Sequence, residues 1–181
     1  MTETPTQNDS SQKPAWSRFA VVAGVIILFF LGSYLLRDVP LEAGEDAPLW
    51  HLPQANGPEG TLSMESQRGK VVLLDFWSTS CPPCLMQIPV LMRIRNQFPE
   101  IQVIGVAVGG ESLPQLKTFS AQRKVTYPIV SDLRGIAAKP YNVSSLPTLF
   151  IVGPDGVVID SHIGFWSEDK LLTAVRKALN K

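Results

Sequence analysis

The two cysteines of the chain, Cys81 and Cys84, are separated by two prolines and lie between an apolar run at 71–77 and a segment with a helical pattern. A Cys-x-x-Cys pair brings two sulfur atoms close enough to form a reversible disulfide, and the thiolate form is the nucleophile. At a junction of strand and helix, the first sulfur lies at a helix N-terminus, where partial positive charge favours the thiolate. The spacing therefore predicts a redox-active dithiol.

Other uses of the same cysteines fit the sequence less well. A structural bridge over two residues closes too short a loop to restrict the unfolded chain much. A closed zinc site needs a second pair of ligands, and His51 and His162 lie far from the cysteines in sequence. No metal site and no cofactor are predicted. A function from a different class, a tethered chaperone or Cu(I) carrier with Cys81 and Cys84 as soft ligands, is retained as an alternative.

Alternating strand-like and helix-like patterns predict an α/β domain over residues 49–181, which is long enough for one well-filled core. A predicted strand at 49–52 pairs with a partner near 61–62. Further strands are predicted at 71–76, 101–108, 127–130, 146–152 and 157–163. The predicted helices cover 83–98, 113–124, 133–139 and a last segment that Ser167 caps. The dithiol then stands between a fully buried strand and the helix that follows it.

The N-terminal part predicts a membrane anchor. Residues 1–18 are largely polar and are expected to be a disordered cytoplasmic tail. Residues 19–36 carry no charge and would span about 27 Å as a helix. Positive residues before this segment orient the tail towards the cytoplasm and the domain outside. A cleaved secretory signal and a buried soluble helix are the alternatives, and residues 37–48 are predicted to be a short linker.

Charge and compartment narrow the function further. Acidic and basic residues balance at 16 each, so nothing indicates nucleic acid or a charged membrane patch as a partner. Outside the cytoplasm disulfides form readily. A dithiol kept there implies either an oxidant or a reductant that is continually re-reduced.

Two motifs resemble the thioredoxin superfamily. Residues 71–84 (VVLLDFWSTSCPPC) are similar to its active-site strand and loop, and residues 141–151 (YNVSSLPTLFI) to the segment that carries its cis-proline. Residues 47–48, 69–72 and 105–106 resemble a narrower group, the membrane-anchored TlpA/ResA-type thiol–disulfide oxidoreductases, which include cytochrome c maturation thioredoxins. The resemblance implies a thioredoxin-like α/β fold, with a central mixed β-sheet flanked by helices, after an N-terminal transmembrane helix.

The resemblance also implies roles for individual residues. Cys81 matches the exposed attacking sulfur, and Cys84 matches the more buried resolving sulfur. Pro147 matches the cis-proline that faces the disulfide and leaves a backbone edge free for a substrate strand, with Leu146 beside it. Trp77 resembles an aromatic residue next to the site, for which packing and substrate contact are equal expectations.

Asp75 stands where thioredoxins carry a buried acid. An acid in a strand of Val and Leu is unfavourable unless it is neutral, hydrogen-bonded or functional, so Asp75 is predicted to accept a proton from Cys84 during exchange. The alternative is a strand-end acid that reaches solvent. Two positions depart from the family pattern: Gln87 replaces a glutamate that many ResA-type proteins carry, and Ser80 replaces a common tryptophan.

The direction of electron flow is predicted from the same motif. Pro82 and Pro83 lack N–H groups that could stabilise a thiolate at Cys81, and no Lys or Arg follows before Arg93. These features favour the disulfide form and therefore a reductant. A disulfide oxidase or isomerase is the alternative within the same enzyme class.

The resemblance supplies the expected partners. A membrane thiol conduit that draws on cytoplasmic thioredoxin would deliver electrons, and the substrate would be a protein disulfide, with that of apocytochrome c as one candidate. The catalytic domain is expected on the periplasmic side of the bacterial inner membrane, bound to the lipid bilayer through residues 19–36.

Overall fold

The computed structural model describes residues 16–35 and 40–180. The chain divides into two units, Met1–Arg37 and Asp38–Lys181. In the first unit, helix α1 covers Trp16–Leu35, so it begins inside the segment predicted as a tail; residues 1–15 lie outside the described part. No helix among the described residues has both the length and the apolar character needed to cross a membrane.

The second unit is built on a five-stranded mixed sheet with the order β5-β4-β3-β6-β7. β3 and β4 are parallel, as are β4 and β5, whereas β6 runs antiparallel to both β3 and β7. The strands are β3 Val72–Trp77, β4 Gln102–Ala107, β5 Ile129–Ser131, β6 Thr148–Val152 and β7 Val158–Ile163. A separate hairpin pairs β1 His51–Pro53 with β2 Thr61–Ser63, as predicted.

Three helices follow the strands: α2 Pro82–Gln97, α3 Leu113–Arg123 and α4 Glu168–Leu179. Side chains from all three join the sheet in one apolar cluster, which includes Cys84. The other face of the sheet packs against the N-terminal segment of the domain, including Trp50, Leu52 and Met64. Because both faces are covered, every residue of β3 is buried, which explains its nearly continuous apolar sequence.

The predicted helix over 133–139 is wrong, because the segment forms successive turns. The Asp132 carboxylate accepts hydrogen bonds from the N–H groups of Ile136, Ala137 and Ala138 at 2.6, 2.9 and 2.8 Å. This side chain binds backbone donors that a helix would pair with carbonyls. Gly135 has φ of +68°, a left-handed conformation that a right-handed helix does not contain.

Candidate active site

A disulfide joins Cys81 and Cys84, whose Cα atoms lie 5.3 Å apart. β3 ends at Trp77, and after a short loop Cys81 occupies the N-cap position of α2 with an extended backbone. Pro82 and Pro83 take the first helical positions, where the missing N–H groups leave no intrahelical bond unmade. The sequence therefore places both sulfurs at the positive end of the helix.

The two sulfurs differ in access. Cys84 has no exposed surface, whereas Cys81 is partly exposed. The backbone N–H of Cys84 donates to Cys81 Sγ at 3.3 Å. An incoming disulfide can therefore reach Cys81, while Cys84 can act on Cys81 from inside, which is the arrangement expected for attacking and resolving sulfurs.

Asp75 lies in the middle of β3, on the sheet face that α2 covers. Its side chain is fully buried, and neither carboxylate oxygen has a hydrogen-bond partner in the described protein. Burial raises the pKa of Asp75 from 3.8 to about 8. The alternative of a strand-end acid that reaches solvent is excluded, and the carboxyl group can bind and release a proton near neutral pH.

Two aromatic side chains lie close to this acid. Trp77 has no exposed surface and packs on Phe119 with ring centroids 5.1 Å apart, so the structure gives it the packing role. Tyr127 is buried, and this burial raises the pKa of its hydroxyl. The charge of Asp75 raises that pKa further, as the smaller of the two causes. Gly105 pairs with Asp75 across the strands, and a Cβ there would lie 2.9 Å from Trp77 Nε1 and 3.2 Å from Tyr127 Cε2. A larger residue than glycine would therefore displace these rings.

The peptide bond between Leu146 and Pro147 is cis, which confirms the predicted isomer. Pro147 is buried and Leu146 is partly exposed. The carbonyl of Pro147 accepts a hydrogen bond from the Gly164 N–H at 2.7 Å. Leu146 lies outside the strands and helices, and among the described residues neither its backbone N–H nor its carbonyl makes a backbone hydrogen bond. Because Thr148 pairs with Phe76, this segment lies next to the end of β3.

Sequence reasoning missed Glu111. Its carboxylate accepts hydrogen bonds from the backbone N–H and the hydroxyl of Thr79 at 2.6 and 2.8 Å. Burial alone would raise the pKa of Glu111, but the hydrogen bonds from Thr79 and Ser78 give a net lowering. Glu111 thus holds the loop that precedes Cys81, in which Ser80 is exposed. Neighbouring parallel strands end at the same edge of a sheet, and this rule could have brought the loops after β3 and β4 together.

The metal alternative gains no ligand from the structure. Both sulfurs are bonded to each other, and the described residues contain no group of three or more His, Cys, Asp or Glu side chains that could hold a metal ion.

Comparisons with known proteins agree with this geometry. Residues 43–161 match the AhpC/TSA family model. The chain belongs to the AhpC/TSA family. It is 31% identical over 133 residues to the thiol-disulfide oxidoreductase ResA of Bacillus subtilis, covering 72% of this chain and 73% of that protein. It is also 28% identical over 161 residues to the thioredoxin-like protein YneN of Bacillus subtilis, covering 83% and 93%.

Solved structures confirm the thioredoxin-like fold. A thiol:disulfide interchange protein DsbE from Chlorobium tepidum is 29% identical and superposes with a TM-score of 0.70, covering 77% of this chain and 99% of that one. Together with the ResA match and the Cys81–Cys84 disulfide, this makes the protein a thiol-disulfide oxidoreductase of the AhpC/TSA family. The predicted enzyme class is confirmed.

Proposed function

We propose that this oxidoreductase reduces disulfides of extracytoplasmic proteins while tethered to the bacterial inner membrane. One observation carries the catalytic part of the proposal. Cys81 is partly exposed at the start of α2, whereas Cys84 and the unpartnered Asp75 are fully buried. This arrangement separates the sulfur that meets the substrate from the sulfur and acid that complete the exchange.

The exchange proceeds in two steps from the dithiol form. The Cys81 thiolate attacks one sulfur of the substrate disulfide, which forms a mixed disulfide and releases the first substrate thiolate. Cys84 then loses its proton to the ionised form of Asp75, which becomes neutral, and the Cys84 thiolate attacks Cys81 Sγ and releases the second substrate thiolate. The protein dithiol loses two electrons and becomes the disulfide seen in the structure, and the substrate disulfide gains them.

Asp75 suits this proton transfer because its pKa of about 8 lies close to neutral pH. Once the disulfide has formed, the acid is largely protonated at pH 7 and keeps the proton taken from Cys84. When a reductant reopens the disulfide, Asp75 can return that proton to the Cys84 leaving group. The same residue therefore serves both halves of the cycle.

The proposed direction rests on how weakly the site stabilises a Cys81 thiolate. The N–H of Cys84 is one donor, at 3.3 Å, and Pro82 and Pro83 have no N–H to add. A poorly stabilised thiolate favours the disulfide form, which makes the dithiol a reductant. A disulfide oxidase or isomerase would need the opposite balance.

Substrate docking is proposed along the Leu146–Pro147 edge. The free N–H and carbonyl of Leu146 are suited to pair with an extended substrate strand. The disulfide of a haem-attachment motif in apocytochrome c is one candidate substrate, on the strength of the family resemblance. Insulin offers a generic test: the wild-type domain with dithiothreitol is expected to accelerate insulin reduction, and Cys81→Ser to abolish the acceleration.

Captured substrates test the proposal in cells. Cys84→Ser removes the resolving sulfur, so the mixed disulfide between Cys81 and a substrate should accumulate and be visible as a band that dithiothreitol abolishes. Cys81→Ser is the matched control and should capture nothing. Equal capture by both variants, or by neither, would contradict the assigned order of attack.

The tether and compartment are proposed from the sequence pattern. Residues 1–18 would lie in the cytoplasm, residues 19–36 would anchor the chain, and a membrane thiol conduit would supply electrons. A shared membrane plane raises the effective concentration of the two partners. The predicted linker 37–48 would be shorter than expected, because Gly44 and Ala47 already hydrogen-bond to Val158 and Gly156 of the domain. A reporter enzyme that is active only outside the cytoplasm, fused after Lys181, should be active; activity of a cytoplasmic reporter instead would overturn the topology.

A further inference from the structure

Gln87 makes two hydrogen bonds to the backbone of a single residue. Its side chain has no exposed surface and lies three positions after Cys84 in α2. Gln87 Oε1 accepts the N–H of Trp166 at 2.7 Å, and Gln87 Nε2 donates to the carbonyl of Trp166 at 3.2 Å. An amide supplies the acceptor and the donor together, whereas an ionised carboxylate supplies only acceptors.

The Trp166 backbone belongs to the segment 164–166, which also holds the cis-proline. Gly164 donates its N–H to the carbonyl of Pro147 at 2.7 Å. Two sets of hydrogen bonds, Gln87 to Trp166 and Gly164 to Pro147, therefore connect α2 to Pro147, and the covalent backbone of segment 164–166 links one set to the other. This connection joins the helix that carries the resolving cysteine to the edge on which a substrate would dock.

We propose that Gln87 is a positioning residue that holds the Leu146–Pro147 edge at its working distance from the Cys81–Cys84 disulfide, through the segment 164–166. The inference rests on the proposed function, because it assumes that a protein disulfide docks along this edge. The hydrogen bonds of the Gln87 side chain go to Trp166 and not to the sulfurs, and an amide does not transfer a proton. Its loss should impair docking of a folded protein substrate and leave the intrinsic reactivity of the disulfide intact.

The same site predicts a pH-dependent rescue by the conservative variant. In Gln87→Glu, a protonated carboxyl group can still donate to the Trp166 carbonyl and accept its N–H. Once ionised, it has no hydrogen for that carbonyl and both contacts cannot persist. Gln87→Glu should therefore resemble the wild type at pH 5 and Gln87→Met at pH 8. The ring of His162 lies against that of Trp166 with centroids 4.8 Å apart, and the pKa of the buried Asp75 is raised to about 8, so the wild type is measured across the same pH range.

The test compares two reactions, reduction of the protein's own disulfide by dithiothreitol and reduction of insulin, in the wild type and three variants. Gln87→Met keeps the side-chain length and removes both hydrogen bonds. Gln67→Met is the matched control, because Gln67 is also a buried glutamine but its amide bonds Ser63 and Ser66 within its own turn. For each protein one measures the rate at which dithiothreitol reduces the disulfide, and kcat and KM for insulin reduction.

For Gln87→Met we expect kcat/KM on insulin to fall about tenfold, mostly through KM, with the dithiothreitol rate within about twofold of wild type. Gln67→Met should leave both unchanged. An equal fall with both reagents, or no fall with insulin, would overturn the positioning role. Should Gln87→Met not fold, the pH 5 to pH 8 comparison of Gln87→Glu decides the same question.

Amide hydrogen exchange separates this inference from the proposed function. In Gln87→Met the amides of Gly164 and Trp166 should exchange at least about tenfold faster, while that of Cys84 keeps its rate. Faster exchange in a protein whose wild type reduces no protein disulfide would show that Gln87 holds the segment 164–166, but would reject the proposed function and with it the docking role. Unchanged exchange at Gly164 would reject the positioning role regardless of activity.

Discussion

The two faces of strand β3 differ in what their buried side chains contribute. Phe76 points to the face where it packs with Tyr141 and Phe150, with ring centroids 5.1 to 5.7 Å apart. Its neighbour Asp75 points to the opposite face, where its carboxylate has no hydrogen-bond partner in the described protein. Aromatic packing stabilises the fold on one face. On the other face, burial of the Asp75 carboxyl group is unfavourable and raises its pKa. The buried acid of the domain's central strand thus lies on the face that holds Cys84.

The largest effect is expected from Asp75→Asn in the oxidised protein. The folded pKa of about 8 exceeds the unfolded value of 3.8, so the folded state binds more protons between these values. The free energy of unfolding of the wild type, relative to that of Asp75→Asn, should therefore fall by on the order of 5 kcal/mol as the pH rises from 4 to 8. Above pH 8 this difference should level off. Urea unfolding at pH 4, 6, 8 and 9 measures the difference.

A control for this prediction is Asp160→Asn, which changes a partly exposed aspartate in β7. It should show no comparable divergence from wild type between pH 4 and 8. A constant difference between Asp75→Asn and wild type over the whole range would mean that the carboxyl group does not titrate as described. Asp75→Asn should also slow the second step of exchange, because the proton acceptor for Cys84 is lost.

On the other face of β3, a substitution is expected to destabilise the fold. Phe76→Ala removes a ring from the packed aromatic group and leaves a cavity, which should lower the free energy of unfolding by about 4 kcal/mol. The disulfide is on the far side of the sheet, so the reduction potential of Cys81–Cys84 should stay at the wild-type value. Thermal unfolding measures the loss of stability, and thiol equilibration measures the reduction potential. A shifted potential would show that the two faces are not independent.

A smaller effect is expected at the loop before Cys81. Glu111→Gln weakens the charge-assisted hydrogen bonds to Thr79 and should cost about 1 kcal/mol at pH 7. Because the folded pKa of Glu111 is lowered, its contribution is present at neutral pH and disappears as pH falls through the carboxyl range. The difference should therefore be smaller at pH 3 than at pH 7. Glu100→Gln, at an exposed position, is the control and should be neutral at both pH values.

The comparison of the two faces also explains which features could be predicted. The dithiol, the buried strand and the position of Asp75 follow from local sequence, because a charged residue within Val and Leu marks a buried acid. The isomer of Pro147 required the family resemblance, since most X-Pro bonds are trans. Local patterns could not supply the contacts of Gln87 with Trp166 or of Glu111 with Thr79, which join elements far apart in sequence.

The wrong helix at 133–139 has a similar cause. Its composition allows a helical turn, but the Asp132 carboxylate binds three backbone N–H groups and Gly135 adopts a left-handed conformation. Competition between a side chain and the helical hydrogen bonds depends on where the preceding strand β5 ends. That position is a property of the sheet and not of the segment itself.

The reduction potential of the Cys81–Cys84 pair tests the central claim most directly. The isolated domain 40–181 is equilibrated with dithiothreitol or glutathione buffers at pH 7, and the fraction of disulfide is followed by thiol labelling. A weakly stabilised thiolate predicts a potential near that of thioredoxin, about −270 mV. A potential near that of the strong oxidant DsbA, about −120 mV, would contradict the reductase and leave a disulfide oxidase in its place.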